Sequence, residues 1–351
     1  GDTVGVVDFG SREIRVLIAR KDATDTIRIL GHGTSPGRGC VSQGVIQDRH
    51  AAQMALKQAL LTAEKEARVK VRSLVCGING RNVDTFIREG NVRLDREVVE
   101  ADQMAEACDM ASRDILAPGK RLTCSVTAQE WYVDDMRVKN PLGMRGQVLK
   151  TRMHFALVPS VIEENIASCV EGQRRELEEL VFLPLAASLG CLTPEDMELG
   201  VGVVDLGWKT TGLAVYRDYR LLATHCFEWG GYHITRDVAA GVQVTFEEAD
   251  ELILEYGICL QAIQDEFGDS EAEKPAHPPT PQQSPRIKLK TAVPGVSSIV
   301  ERRQLDLIIY ERAKELLVKV RQYLHARGLA KNLVRGIVLT GGASLIKNYV
   351  C

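Results

Sequence analysis

Residues 203–216 read VVDLGWKTTGLAVY. An apolar run over 201–204 ends in Asp205 and Gly207, a short polar turn follows over 209–211, and a second apolar run spans 213–216. A strand–turn–strand unit of this kind aims backbone N–H groups at a phosphate. Such a turn ordinarily uses glycine, because the backbone must come close to its ligand. Here Trp208 and Lys209 stand in the turn. The sequence therefore poses a choice between a working nucleotide site and the retained shape of one.

The same pattern occurs at the N-terminus. A strand over 4–9 runs into GSRE, a second strand covers 14–19 and a third 27–33, just as strands over 200–205, 213–216 and 220–226 follow one another. Each copy carries an Asp–x–Gly turn, DFGS at Asp8 and DLGW at Asp205, so the chain reads as a weak internal repeat. Between the copies lie a glycine-rich turn and loop, GRGCVSQGVIQD, and a helix over 51–68 with Ala52, Leu56, Ala59, Leu60 and Ala63 on one face. A buried strand over 73–78 comes next. Residues 81–155 differ in texture, with short strands, an acidic helix over 99–113 and the loop KNPLGMRG, and read as an inserted subdomain. A helix over 160–172, a strand over 177–182 and a helix over 184–191 complete the first half. After the second copy come Gly230 and Gly231, helices over 233–240 and 246–256, and a segment over 267–292 rich in Pro, Ser, Gln and charge that reads as a mobile loop. An amphipathic helix over 301–327 buries Leu305, Ile309, Leu316, Val320 and Leu324, and the last element, GIVLTGGAS, is a strand ending in a Gly-Gly turn.

The composition bounds the class. The 351 residues suggest two or more domains, and 45% hydrophobic with 26% charged residues is the balance of a soluble globular protein. A formal charge of −3 gives no general attraction to nucleic acid or to acidic membrane. The nine cysteines form no CxxC pair and no metal-ligand spacing, so they read as free thiols of a reducing cytoplasm, and no metal site is expected. No apolar run reaches the length of a membrane span. Gly1 reads as a trimmed start, and the stop at Cys351, just after a strand and a turn, gives the expectation that further C-terminal residues exist.

Two Asp–x–Gly hairpins, a late Gly-Gly turn and a duplicated core resemble the actin, Hsp70 and sugar-kinase superfamily. SPGRGCVSQGVIQD, KNPLGMRG, GGYHITRDVAAGVQVTFEEADELILEYG and GIVLTGGAS, in this order over nearly the whole chain, are similar to the FtsA family of bacterial cell-division proteins. The resemblance implies an α/β protein with the actin/Hsp70-like duplicated ATPase fold and an FtsA-type inserted subdomain IC. It divides the chain into subdomain IA (1–80 and 159–198), IC (81–158), IIA (199–237 and 336–351) and IIB (238–335). It further implies ATP with Mg2+ in a cleft, binding of the FtsZ C-terminal tail on IIB, self-association through IC, recruitment of divisome proteins, and membrane attachment through a C-terminal amphipathic helix not contained in these residues. That places the protein in the cytoplasm, on the inner face of the membrane at the division site. A PilM-like pilus-assembly scaffold and an active ATP-driven switch are the alternatives.

The implied nucleotide residues are Asp8, Gly10, Ser11, Asp205, Gly207, Lys209, Thr210, Thr211, Gly230, Gly231, Asp250, Gly341, Gly342 and Ala343. Several positions depart from the family pattern. Glu13 stands where the family has Lys, Trp208 and Lys209 replace two glycines, Gly212 replaces an acid, and Asp250 and Ile253 fall where a Glu and a Lys face the nucleoside. A carboxylate near a triphosphate is repulsive unless a metal intervenes. The resulting expectation is weak or absent ATP binding, little or no hydrolysis and no catalytic residue. For the FtsZ tail, whose acidic and apolar character suits arginine, the candidates are the basic residues Arg302, Arg303, Arg312 and Lys314 of the long helix. Read by charge alone, they form a solvated face.

Overall fold

The structure is a computed structural model that describes residues 3–22, 26–80, 82–94, 98–113, 115, 121–258, 285–291 and 298–349, with the backbone alone over 121–129. The chain divides into two units. One comprises Gly1–Asp205, Thr210–Glu228 and Asn332–Val338; the other comprises Leu206–Lys209, Trp229–Lys331 and Leu339–Cys351.

In the first unit, alternating apolar residues make β1 (Thr3–Phe9) and β2 (Glu13–Lys21), paired antiparallel with Asp8 opposite Arg15. β3 (Ile27–Pro36) adds outside β2. The segment expected as loop contains a small hairpin, β4 (Val41–Ser42) with β5 (Val45–Ile46). Gln43 and Gly44 both take positive φ between its strands, the backbone that a two-residue hairpin turn requires. Helix α1 (Arg49–Ala67) starts where the Asp48 side chain accepts from Ala51 N and ends at Arg68 in a left-handed conformation. It lies against β3 at backbone contact. A Cβ at Gly33 would stand 2.0 Å from the Ala59 carbonyl oxygen, and one at Gly31 would stand 2.3 Å from that of Ala63. Glycine on the strand and alanine on the helix thus set the interlayer distance. β6 (Ser73–Ile78) follows and pairs parallel with β1.

The inserted region forms its own layer: β7 (Asp84–Arg93), α2 (Ala101–Ser112), β8 (Arg121–Val133), β9 (Met136–Val138) and β10 (Val148–Pro159). Its strands run in the order β7-β10-β8-β9, all antiparallel. Gly90 repeats the device of Gly33, since a Cβ there would stand 1.9 Å from the Ala107 carbonyl oxygen of α2. Val92, Leu94, Val99, Trp131, Val133 and Leu149 close this smaller core.

The chain returns through α3 (Ser160–Glu171), β11 (Glu176–Phe182), α4 (Leu183–Cys191) and α5 (Pro194–Leu199), which completes the sheet β11-β6-β1-β2-β3. The sequence reading passed over α5, although TPED carries its start signal. Thr193 and Asp196 form a capping box, and Pro194 is pre-set for the first turn. The second copy gives β12 (Val201–Leu206), β13 (Thr211–Arg217) and β14 (Arg220–Phe227), adjacent in sequence order like β1, β2 and β3. The inserted region is tied to β14 by polar contacts. Glu130, only 7% exposed, receives Arg152 at 3.3 Å and Arg220 at 3.1 Å, and the Tyr132 hydroxyl donates to it at 2.6 Å. His154 Nε2 lies 3.0 Å from the Thr224 hydroxyl.

The second unit is built on α6 (Gly231–Val242), α7 (Phe246–Tyr256), the hairpin of β15 (Arg286–Lys288) and β16 (Ile299–Glu301), and α8 (Arg302–Ala326). All five residues expected in the stripe of α8 are buried. The expected mobile loop over 267–292 needs correction at its end. Residues 267–284 and 292 lie outside the described residues, but β15 is a strand, with Ile287 and Leu289 buried and the Glu248 carboxylate accepting from the backbone of Lys290 and Thr291. The period of two in RIKL carried the strand signal, which the polar composition around it obscured. β17 (Ile337–Thr340) joins the sheet β14-β13-β12-β17.

Candidate functional site

In the first unit, two carboxylates sit at strand ends. Asp8 on β1 is pushed up to about 6 by burial first and by the negative charge of Asp205 second, against the pull of Arg15. Asp205 on β12 is also raised by burial and held down by Arg15. A pair of desolvated acids sharing one arginine binds a proton or a cation readily. Asp8 and Asp205 would be the residues to hold the metal of a Mg-nucleotide, were one bound. Among the described residues no group of three or more His, Cys, Asp or Glu converges as a metal site.

Gly10 is demanded by the turn itself, because a Cβ there would stand 2.5 Å from the Glu13 carbonyl oxygen. The Ser11 hydroxyl accepts from Gln43 N at 3.0 Å, tying the turn to the β4–β5 hairpin. Glu13 is engaged by Arg15 at 3.1 Å. Thr210 is half-buried at the start of the second hairpin, and Thr211 is fully buried in β13. Gly212, where the family has an acid, has a packing reason, since a Cβ would come within 2.8 Å of Pro184.

In the second unit, the turn 207–209 is bound up with the start of α6. The Gly207 carbonyl accepts from Gly231 N at 3.0 Å and the Trp208 carbonyl from Tyr232 N at 2.7 Å. Gly230 allows this approach, because a Cβ there would stand 2.4 Å from Gly207 O and 2.6 Å from Trp208 O. The Trp208 ring covers Gly231 and meets Tyr232 and Phe246 edge-on, each at 6.0 Å between centroids. Lys209 Nζ stands 5.0 Å from the centre of the Tyr232 ring. Asp250 accepts from the Thr235 hydroxyl at 3.4 Å, on α6 and α7. Gly341 has φ +87 and precedes a 3₁₀ turn over Gly342–Leu345 that contains Ala343. Tyr232 and Phe246 escaped the sequence reading, because nothing in their spacing links them to residue 208.

The basic face of α8 also needs correction. Arg302 donates to the buried Asp306 at 2.7 Å and to the Tyr256 carbonyl at 2.9 Å. Arg312 is paired with Asp237 and Glu315 and stacks on Trp229. Both point into the protein, because acids on neighbouring turns and on α6 draw them there. Arg303 and Lys314 remain exposed. Beside Lys314 opens a hollow of about 300 Å³ lined by Tyr310, Ala313, Leu317, Val318 and Tyr349, with Arg321 also on its wall.

Solved structures place this architecture. A type IV pilus PilM–PilN complex aligns with TM-score 0.59 and 16% identity over 99% of this chain and 83% of that one. MreB5 of Spiroplasma citri bound to ADP aligns with TM-score 0.52 and 14% identity over 99% and 86%. At such identities they establish the fold alone, which is that of the actin-like ATPases with an inserted domain. Family models then separate the branches: the model for cell division protein FtsA matches residues 202–349, and that for the SHS2 domain inserted in FtsA matches residues 80–157. The cell division protein FtsA of Neisseria meningitidis serogroup B is 29% identical over 99% of this chain and 80% of its own length. That of Pseudomonas aeruginosa is 26% identical over 100% and 80%, and that of Escherichia coli K12 is 25% identical over 97% and 79%. The chain belongs to the FtsA family of cell-division proteins. No helix among the described residues is long and apolar enough to cross a membrane.

Proposed function

We propose that this protein is an assembly adaptor of cell division. It grips the C-terminal tail of FtsZ through its second unit, self-associates through the inserted subdomain, recruits divisome proteins, and is held on the inner face of the cytoplasmic membrane by a helix beyond residue 351. The division into IA, IC, IIA and IIB given by the resemblance is part of this proposal, with ATP and Mg2+ bound weakly or not at all and without turnover as its task. The observation that carries the reading is the hollow beside α8, apolar inside and bordered by Lys314 and Arg321, within a chain of this family. Such a surface suits a short peptide that mixes acidic and apolar residues. The Asp8–Asp205 pair is the one feature that favours an ATP-driven switch instead.

The test is a fluorescent peptide copying the FtsZ tail, titrated by anisotropy. Lys314→Glu and Arg303→Glu are each expected to weaken binding by roughly 3- to 10-fold, more at low salt, because exposed charges are screened. Leu317→Asp, which polarises the hollow, is expected to abolish it. Unchanged affinity in all three sinks the assignment.

For self-association, Met136 and Leu142 of the inserted region are 64% and 54% exposed. A patch repeated head to tail on successive subunits propagates rather than closes. The double change Met136→Asp, Leu142→Asp is expected to remove filaments of the full-length protein on a lipid monolayer, as seen by electron microscopy. Filaments of undiminished number and length would exclude this patch as the assembly contact.

A further inference from the structure

The turn 207–209 and the α6 N-terminus are the part of the second unit in which a nucleotide of this fold class would be expected to find backbone donors. The first amides of a helix are a ready anion site only while they lack partners. In this protein Gly231 N and Tyr232 N already donate to the carbonyls of Gly207 and Trp208, and His233 N donates to Gly230 O. The space above Gly231 is taken as well. A Cβ built there would meet the Trp208 ring at 3.3 and 3.5 Å and the Ala343 methyl at 3.2 Å, so the indole and the 341–345 turn each come up to the helix start at Gly231. The ring also meets Tyr232 and Phe246 edge-on, and these two pack on each other at 5.3 Å. Lys209, the cation expected to meet a phosphate, is drawn to the Tyr232 ring.

We infer that Trp208 is a built-in replacement for a bound nucleotide in this unit: its main chain caps the start of α6, its indole packs on α6 and α7, and the indole excludes ATP by filling the space above Gly231. This deepens the reading of weak or absent ATP binding and is independent of the FtsZ tail, whose peptide assay reports separately. The inference concerns the donors and the space of the second unit alone. A glycine at 208 would leave the main-chain caps in place and remove only the ring and its contacts. An aromatic retained at 208 would keep the exclusion.

The experiment is a titration with Mg-ATP, followed by the melting temperature and by a fluorescent ATP analogue, on the wild-type protein, Trp208→Gly and Trp208→Phe. The wild-type protein and Trp208→Phe are expected to show no saturable shift. Trp208→Gly is expected to melt lower without ligand and to gain at least about tenfold in ATP affinity. Saturable ATP binding by the wild-type protein overturns the inference, and so does a folded Trp208→Gly that gains nothing. Should Trp208→Gly fail to fold, Trp208→Leu takes its place, with the same gain expected and the same absence of gain decisive against the plug.

Discussion

Arg302→Ala is expected to lower the free energy of unfolding by about 3 kcal/mol, because it leaves a buried carboxylate without its partner. Asp306 is 1% exposed, and burial pushes its carboxyl upward while the Arg302 guanidinium pulls it back. Arg302 also donates to the Tyr256 carbonyl at the end of α7 and lies over that residue's ring, so its loss uncouples α7 from α8. The figure stands at the lower end for a buried pair, since the arginine side chain is 23% exposed and water reaches it. Urea denaturation of the wild-type protein, Arg302→Ala, Asp306→Asn and the double variant measures the coupling. The double variant is expected to recover most of the loss, since the orphan charge is then gone. A loss below about 1 kcal/mol in Arg302→Ala would show that Asp306 finds water or takes up a proton at little cost. The same geometry makes Arg302 unsuitable as a probe of peptide binding, where a damaged fold would pass for a lost contact.

The second large effect is a dependence of stability on pH that passes through His154. The residue is 3% exposed, Nε2 meets the Thr224 hydroxyl, and Nδ1 has no hydrogen-bond partner among the described residues. Burial lowers its pKa to about 4. The folded protein therefore keeps the ring neutral while the unfolded chain takes up a proton near 6.5, so stability is lost as pH falls from about 6.5 toward 4. A displacement of this size corresponds to about 3 kcal/mol once both steps are complete. Asp8 acts in the opposite sense over part of this range. Its folded pKa, about 6, lies above the ordinary 3.8, so it makes the fold more stable as pH falls from 6 to 4. The His154 contribution must accordingly be read as a difference between proteins. His154→Gln, which can still hydrogen-bond Thr224, is expected to match or fall below the wild type at pH 7.5 and to lose about 2.5 kcal/mol less on going to pH 4.5. Parallel curves for the two proteins would remove His154 from the account.

The duplicated strand–turn–strand core, the inserted region and the buried stripe of α8 were all legible in the sequence. Each rests on a local rule: apolar residues at period two or 3.6, an aspartate and a glycine at a turn, glycines where two backbones touch. The family resemblance was legible for a related reason, since KNPLGMRG and GIVLTGGAS keep their order along the chain. The residue-level reading of the sites divided along the same line. Gly10 and Gly341 are needed by turns that the sequence showed, and Trp208 stood out as a misfit in its own hairpin.

What only the tertiary structure decided is the company those residues keep. Charge on a helix face does not say whether an arginine meets solvent, because the deciding acid comes from another element, as Asp237 of α6 does for Arg312. The partners of Trp208 lie 24 and 38 positions downstream by residue number, Tyr232 on α6 and Phe246 on α7. The sequence by itself determined the frame, because strands, helices and turns are set by neighbours within a few residues. Whether a given arginine is spent inside or offered outside, and whether an odd tryptophan blocks a ligand or merely replaces a glycine, depends on contacts between segments that meet only once the chain has folded.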